Sequence, residues 1–289
     1  MDVAGGMAAK RHSNTIDAVH FLNPIKKGCV AKIYARVNRS WNSSMEVEVL
    51  VQSEILLTGE CLLCCHAYFT FVAIKDEKPI LVPKIVPKLK EEILRWESAD
   101  TRRTIRFQRK KNMKPELIKP TDVVYANGSC QIIKMIMPEH TNPMNITFGG
   151  MIMSWMEHAA YIAATRATRT HLLTASMDQL QFHRPSMVGH LVTIVARVTK
   201  VFKQSVEVYI VVRSEDPITN QVQLTNDAWI SFVSVDQNGK PFPLSDVEEI
   251  GEVKTVEAEK RKNHRLEEKR QILSENSEDW DITHQTSAF

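Results

Sequence analysis

Hydrophobic and polar residues alternate along several stretches of the chain, and this period of two predicts β-strands. The clearest examples are VTIVARV, beginning at Val192, and SVEVYIVVRSE, beginning at Ser205, in which β-branched residues recur at alternate positions. Gly189 and the pair Asn238-Gly239 have the residue types of turns. Because alternation places one face of each strand in a core, we predict an antiparallel sheet with one buried face.

A longer hydrophobic period ahead of these strands predicts one buried helix. The segment GGMIMSWMEHAAYIAATRATRTH begins at Gly149, and its apolar residues recur at three- and four-residue spacing. These residues are Ile152, Met156, Ala159, Ala160 and Ala163. The pattern predicts a helix of about five turns, whose alanine-rich face suits close packing against a sheet. A Gly-Gly turn, one long helix and four antiparallel strands give an α+β layout.

The chain repeats itself once. A segment beginning at Ile16 aligns without gaps with a segment beginning at Met177, an offset of 161 residues (177 − 16). The identical pairs at this offset include Asp17 with Asp178, Phe21 with Phe182, Pro24 with Pro185, and Gly28 with Gly189. A single repeat of this length indicates a duplicated domain, because a solenoid needs at least three shorter units.

The first copy is predicted to be incomplete at its start. The opening DVAGGMAAKRH matches EHAAYIAATRA in the helix of the second copy, which aligns Asp2 with Glu157 at an offset of 155 (157 − 2). The first copy is therefore expected to lack its first strand and the beginning of its helix.

Two charged segments separate and follow the copies. Pro79, Pro83 and Pro87 mark a linker, KEEILRWESADTRRTIR has the character of a charged helix, and so does the stretch after Val253. We therefore predict four parts: 1–78, a first domain; 79–124, a linker with a charged helix; 125–245, a second domain; 246–289, a charged helix and a disordered tail.

Composition excludes several classes of function. The hydrophobic fraction of 43% and the charged fraction of 25% are typical of globular chains. Thirty-seven basic and 34 acidic residues leave a net charge of +3, too weak a field to indicate a nucleic-acid or membrane-surface partner. No apolar run approaches the ~20 residues of a membrane span. We expect no nucleic-acid partner and no membrane-spanning segment.

The five cysteines do not predict a metal site. Cys61, Cys64 and Cys65 lie in the apolar run CLLCCHAYFTFV, without a second Cys or His pair at ligand spacing. We therefore expect no metal and mostly buried, reduced thiols. The opening MDVAGGMAAKRHSN lacks the basic-then-apolar order of a secretory signal. Reduced thiols without such a signal predict a cytoplasmic protein.

The duplication, together with two local segments, resembles a known family. NPMNITFGGMIMSWMEHAA, beginning at Asn142, and MDQLQFHRPSMVGHLV, beginning at Met177, are similar to segments of the acyl-CoA thioesterases with two hot-dog domains. The resemblance is to their cytosolic subgroup, which includes acyl-coenzyme A thioesterases 11 and 12, and covers roughly residues 1–245. In that subgroup a lipid-binding START domain follows, and nothing after residue 245 resembles one.

The resemblance implies a fold, a reaction and an assembly. Each hot-dog domain is a long central helix wrapped by an antiparallel sheet, with the first domain here expected to be incomplete. The reaction implied is hydrolysis of acyl-CoA to a free acid and CoA, with no cofactor. The assembly implied is a homo-oligomer, a trimer of tandem hot-dogs.

Thioester hydrolysis requires three groups, and residues near the predicted helix start can supply two of them. Backbone amides must stabilise the oxyanion, a carboxylate must activate water, and a polar side chain must orient the water. Gly149 and Gly150 open the helix, so their amides can approach a thioester carbonyl, and Phe148 beside them is expected to contact substrate. A tight turn that needs glycine is compatible with this role.

The family resemblance implies that Asn142 pairs catalytically with an acidic residue on the helix of the other domain. In this chain that acid is Asp2. The family pattern has Gly and Asn where this chain has Asn145 and Ile146. Asn142 precedes a proline, so a turn role is the alternative. Glu157, the acid of the second domain, is expected to be structural.

Two sets of basic residues on the charged helices leave two interpretations open. They are Arg102, Arg103 and Arg106, and Arg261, Lys262 and Arg265. They can contact the phosphates of CoA, or they can form a solvated helix face with pairs four residues apart.

Two classes of function remain open from the sequence. One is an active acyl-CoA hydrolase; the other is a catalytically impaired protein that binds acyl-CoA or supports an assembly. A hot-dog dehydratase would need a catalytic His or Asp in a different helix frame. The sequence contains no Gly-x-Ser-x-Gly, so it does not indicate a serine hydrolase.

Overall fold

The computed structural model describes residues 12–75, 78–112, 128–244 and 255–275. The strands are β1 (His12–Phe21), β2 (Val30–Ser40), β3 (Ser44–Glu54), β4 (Cys61–Val72), β5 (Ile74–Lys75), β6 (Lys78–Pro79), β7 (Ser129–Met135), β8 (His171–Phe182), β9 (Leu191–Val201), β10 (Ser205–Asp216) and β11 (Gln221–Val235). The helices are α1 (Lys90–Asn112), α2 (Gly149–Thr168) and α3 (Thr255–Glu275).

Nine strands form one continuous antiparallel sheet, in the order β2-β3-β4-β1-β8-β11-β10-β9-β7. The first half (12–112) contributes β1 to β4, and the second half (128–275) contributes β7 to β11. The short strands β5 and β6 pair separately. This α+β arrangement, with β9 and β10 at the predicted positions, confirms the strand predictions.

The predicted buried helix is α2, which packs on the core face of the second half. Alternate residues of β10, such as Val206 and Val208, lie in the same apolar core as Met156 and Ala160 of α2. The helix has 20 residues and ends before Arg169, which adopts a left-handed conformation with φ of 53°. A long helix across an antiparallel sheet is the hot-dog arrangement expected for this half. The stretch of the first copy that is predicted to form the corresponding helix lies outside the described residues.

The two halves meet at the β1–β8 pair, around a local twofold axis. Ile16 pairs with Leu180, and Val19 pairs with Met177. The repeat offset exchanges these two pairs (16 + 161 = 177; 19 + 161 = 180). The duplicated units are therefore joined edge to edge by backbone hydrogen bonds, as the tandem arrangement predicts.

The charged helices α1 and α3 are also equivalent, which the sequence reasoning missed. Arg102 on α1 binds Glu46 at 2.6 Å, and Arg261 on α3 binds Glu207 at 2.7 Å. Both strand positions are related by the repeat offset (46 + 161 = 207), and the helix positions by 159 (102 + 159 = 261). The signal was present in the sequence, because the two basic sets share the same spacing.

A second pair of contacts repeats in the same way. The Arg102 guanidinium lies 3.7 Å from the ring centroid of Tyr68, and that of Arg261 lies 3.6 Å from the ring centroid of Trp229. Equivalent strand positions supply the rings (68 + 161 = 229). Both helices are therefore held on the sheet by contacts that include the same ion pair and the same cation–π contact at equivalent positions.

The interpretation of these arginines as a solvated face is wrong for four of them. Besides Arg102 and Arg261, Arg106 pairs with Asp17, and Arg265 pairs with Asp178 at 3.1 Å. Glu207 lies between Val206 and Val208 on β10, so its side chain emerges on the sheet face opposite α2. The arginines are engaged by sheet carboxylates there, which also removes them as free phosphate ligands.

No helix in the described parts of the chain is long and apolar enough to cross a membrane.

Candidate active site

The start of α2 presents backbone amides to a half-buried surface. Phe148 is the N-cap residue, in an extended conformation, and no side chain caps the helix. The Met151 amide bonds to the Phe148 carbonyl at 3.0 Å, which closes the first turn. Gly149 and Gly150 precede it, at the positive end of the helix dipole. This end can stabilise negative charge on an oxygen, which is what a tetrahedral thioester intermediate requires.

The loop before α2 is tied to the helix and to the β8–β9 connection. The Phe148 amide donates to the His140 carbonyl at 2.8 Å. Thr147 donates from its amide and from its hydroxyl to the Ser186 carbonyl, each at 2.9 Å. The His140 ring meets Trp155 of α2 edge-on, with centroids 5.0 Å apart. The loop is therefore held in one position against the helix start.

Asn142 organises this loop through its side-chain oxygen. Its Oδ1 accepts hydrogen bonds from the Met144 amide at 2.9 Å and the Ile146 amide at 3.3 Å. The turn role considered for Asn142 is therefore present in the structure. These contacts occupy the oxygen and leave the Nδ2 amide as the donor for a ligand.

The departure from the family pattern at Asn145 has a backbone explanation. Asn145 has a φ of 56°, in the left-handed region that favours glycine. Asparagine is among the residues that tolerate this region best, so it can replace the glycine of the family pattern. The structure gives no comparable reason for Ile146.

Glu157 on α2 forms a contact that the sequence did not reveal. The Thr174 hydroxyl, on β8, donates to Glu157 Oε1 at 2.8 Å, and both residues are half-buried. At the repeat offsets their counterparts are Asp2 (157 − 155) and Ser13 (174 − 161). A hydroxyl at the same strand position in both copies was the available signal. Asp2 lies outside the described residues.

Glu157 is well separated from the start of α2 along the helix axis. Glu157 lies eight residues beyond Gly149, which is ~12 Å along the axis at ~1.5 Å per residue. A water molecule held by the Glu157 carboxylate cannot also attack a carbonyl bound at the first turn. Glu157 therefore lies too far from the helix start to act there as a base.

The cysteines and histidines of the first half do not form a metal centre. Among the described residues, no cluster of His, Cys, Asp and Glu could hold a metal ion, and none of the five cysteines forms a disulfide. His66 Nε2 lies 2.8 Å from Glu48 Oε1 instead. Burial would raise the pKa of Glu48, but His66 and Arg36 together hold it at about 2.

Comparison with known proteins shows which family the chain resembles. A model described as the thioesterase superfamily matches residues 1–59 and 144–220. Mouse acyl-coenzyme A thioesterase 11 is 30% identical over 311 residues, covering 99% of this chain and 52% of the relative. One matched stretch falls in each copy of the repeat, so both copies are similar to the thioesterase superfamily.

Other relatives carry related descriptions. The mouse acetyl-coenzyme A thioesterase is 30% identical, over 86% of this chain and 49% of the relative. The mouse cytosolic acyl coenzyme A thioester hydrolase is 28% identical, over 94% of the chain and 77% of the relative. The chain spans about half the length of the first two curated relatives.

A solved structure is similar to part of the chain. An acyl-CoA hydrolase from Staphylococcus aureus, in complex with butyryl coenzyme A, coenzyme A and coenzyme A disulfide, is 28% identical. It covers 51% of this chain and 94% of that chain, with a TM-score of 0.45. Gly149, Gly150 and Glu157 lie within the residues that the family model matches, and Asn142 lies just before them.

Proposed function

We propose that this chain hydrolyses acyl-CoA thioesters to a free acid and CoA. The observation that carries the proposal is the start of α2, where Gly149 and Gly150 open an uncapped helix beside the Asn142 loop. The match to the thioesterase superfamily model and the names of the relatives support the same reaction. Phe148, at the N-cap, is placed to contact the thioester.

In the proposed mechanism the thioester carbonyl oxygen binds at the first-turn amides of α2. The Asn142 Nδ2 group donates to the attacking water, and the Asp2 carboxylate removes its proton as the carbon–oxygen bond forms. The tetrahedral intermediate then collapses with cleavage of the carbon–sulfur bond. CoA leaves as the thiolate and takes up the proton. Asp2 is assigned because the family resemblance implies an acid at this position, and Glu157 is not chosen because it lies two turns too far along α2.

The direct test is release of the CoA thiol, followed with a thiol reagent over a series of acyl-CoA substrates. We expect turnover that depends on protein concentration and saturates with substrate. Saturable binding of acyl-CoA without thiol release would contradict the proposal and would indicate a binding protein. The series also reports which acyl chain lengths are accepted.

We predict that Asn142→Ala and Asn142→Asp both slow turnover by roughly 10²–10³-fold, the usual loss for one oriented hydrogen-bond donor. Their stabilities should differ. Alanine removes two amide–Oδ1 bonds and is expected to cost about 1–2 kcal/mol, whereas aspartate retains the acceptor. Kinetics and thermal unfolding of the two variants, with the parent chain, check this. Full turnover in Asn142→Asp would show that Asn142 acts through the turn alone.

We also propose a homo-oligomer, a trimer of tandem units. β7 is an edge strand of the sheet, and Ile133 and Met135 on it are largely exposed. Exposed apolar side chains that lie close together indicate an interaction surface. Light scattering is expected to give three times the 33.0 kDa mass of the chain. A mass equal to one chain would contradict the assembly and leave the proposed reaction untouched.

A cytoplasmic location is part of the same proposal. One relative is described as cytosolic, and none of the five cysteines forms a disulfide, as expected in a reducing compartment. Fractionation of cells that produce the chain tests this. Recovery with a sedimenting organelle would contradict it.

A further inference from the structure

A cleft of about 620 Å³ lies in the first half, between the end of β2, the segment 84–87 and α1. We call it the outer cleft. Its apolar lining is formed by Trp41, Ile85, Val86, Ile93 and Trp96. Its volume is in the range of small-molecule sites, roughly 300–1,000 Å³. Because α1 lies on the sheet face opposite α2, the outer cleft is separate from the α2 start.

Three cations and one carboxylate, that of Glu97, line the outer cleft, and two of the cations have no bound carboxylate. Arg39 stacks on Trp96, with 3.3 Å to the ring centroid, and pairs with Asp100 at 3.4 Å. The Arg103 guanidinium lies 4.6 Å from the Trp41 ring centroid. Within the described ranges, neither Arg103 nor Lys84 forms an ion pair. Burial lowers the pKa of Arg103, so an anion there would offset the desolvation of its charge.

We propose that the outer cleft binds a long-chain carboxylate, that is, a fatty acid. The carboxylate accepts hydrogen bonds from Arg103, in the bidentate geometry that guanidinium favours, with Lys84 beside it. The alkyl chain lies against Ile85, Val86 and Ile93. This binding goes beyond the proposed hydrolysis and does not depend on it.

The aromatic side chains favour an aliphatic ligand over a flat one. Arg39 covers one face of the Trp96 indole, and Arg103 lies over Trp41. Stacking of a purine on those faces would require displacement of a guanidinium. An alkyl chain needs only the indole edges and the isoleucine side chains. The lining of the cleft is therefore complementary to an amphiphile with one anionic end.

The repeat supplies a matched control. Phe202 and Lys262 occupy the positions equivalent to Trp41 (41 + 161) and Arg103 (103 + 159). The Lys262 Nζ lies 4.4 Å from the Phe202 ring centroid, so the cation–ring contact is retained in the second half. Arg103→Gln and Lys262→Gln therefore remove one cation from the same structural position in the two halves.

The test is calorimetric titration of the full chain with hexanoate, octanoate, decanoate and dodecanoate. Affinity is expected to rise about fourfold per added methylene, as for transfer of a CH₂ group out of water. Arg103→Gln should weaken dodecanoate binding by about tenfold or more, from loss of a charged hydrogen-bond donor. Lys84→Gln, on an exposed segment, should weaken it in the same direction. Lys262→Gln should leave it unchanged.

Several results would overturn the proposal. Dodecanoate affinity that is equal in Arg103→Gln and the parent chain would place the acid elsewhere, such as the acyl site beside α2. Displacement of dodecanoate by CoA would do the same. Co-sedimentation with phosphatidylserine vesicles, lost in Arg103→Gln, without dodecanoate binding, would assign the cleft to a membrane surface. The proposed hydrolysis can fail in the thiol assay while dodecanoate binding persists, so the two failures are distinguishable.

Discussion

Asp2→Asn is expected to lower kcat for acyl-CoA hydrolysis by roughly 10²–10⁴-fold, the usual contribution of general-base catalysis. Asparagine preserves the size and hydrogen bonding of the side chain but cannot accept the proton of water. The first-turn amides and Asn142 remain in place, so KM is expected to change little. The measurement is steady-state kinetics by CoA thiol release.

The matched control for this substitution is Glu157→Gln. Glu157 is the equivalent acid of the second copy, and its partner Thr174 can still donate to a glutamine oxygen. Glu157→Gln should retain most of the turnover, because Glu157 is ~12 Å along α2 from the first-turn amides. The reverse pattern, with Glu157→Gln inactive and Asp2→Asn active, would show that the assignment of the base is wrong.

Glu207→Gln is expected to lower the free energy of unfolding by about 3–5 kcal/mol, the usual effect of breaking a buried ion pair. Glu207 is 0% exposed and binds Arg261 at 2.7 Å and Arg265 at 2.9 Å. A neutral amide leaves two largely buried guanidinium groups facing it. Urea denaturation, with the slope held constant, measures the loss.

Two further variants make the stability test specific. Glu215→Gln, on the same strand but half-buried near its end, should change stability by no more than about 0.5 kcal/mol. Glu46→Gln removes the equivalent carboxylate of the first half, which binds Arg102, and should resemble Glu207→Gln. If Glu207→Gln is no less stable than Glu215→Gln, the arginine contacts do not hold α3 on the sheet.

Much of the fold could be predicted because it depends on local periodicity. The strands β9 and β10 follow a period of two, and α2 follows the helical period from its two glycines. The repeat offset of 161 predicted that the halves are equivalent. These patterns depend on neighbours within a few residues or on a constant register, so a single sequence contains them.

The role of the charged helices could not be predicted in the same way. Arg102 binds Glu46, 56 residues away in the chain, and such a pairing leaves no periodic trace. Equivalent positions of α1 and α3 are 159 residues apart and not 161, so the offset that aligns the strands does not align the two helices. The candidate active site has the same limitation. The glycine start is local, whereas the carboxylate proposed to act there is far away in the chain.

Joining the two copies in one polypeptide has an evolutionary consequence. In a homodimer, every substitution changes both sides of the twofold axis at once. In this chain, a substitution changes only one of the two sides that meet at the β1–β8 junction. Glu48 and His66 form a buried pair at 2.8 Å, and their equivalents Tyr209 (48 + 161) and Asp227 (66 + 161) form another at 3.2 Å. In the first half the acid lies on β3 and its partner on β4. In the second half the acid lies on β11, the equivalent of β4, and its partner lies on β10, the equivalent of β3. Covalent fusion has let one ancestral interior diverge into two chemically different ones while the backbone symmetry persists.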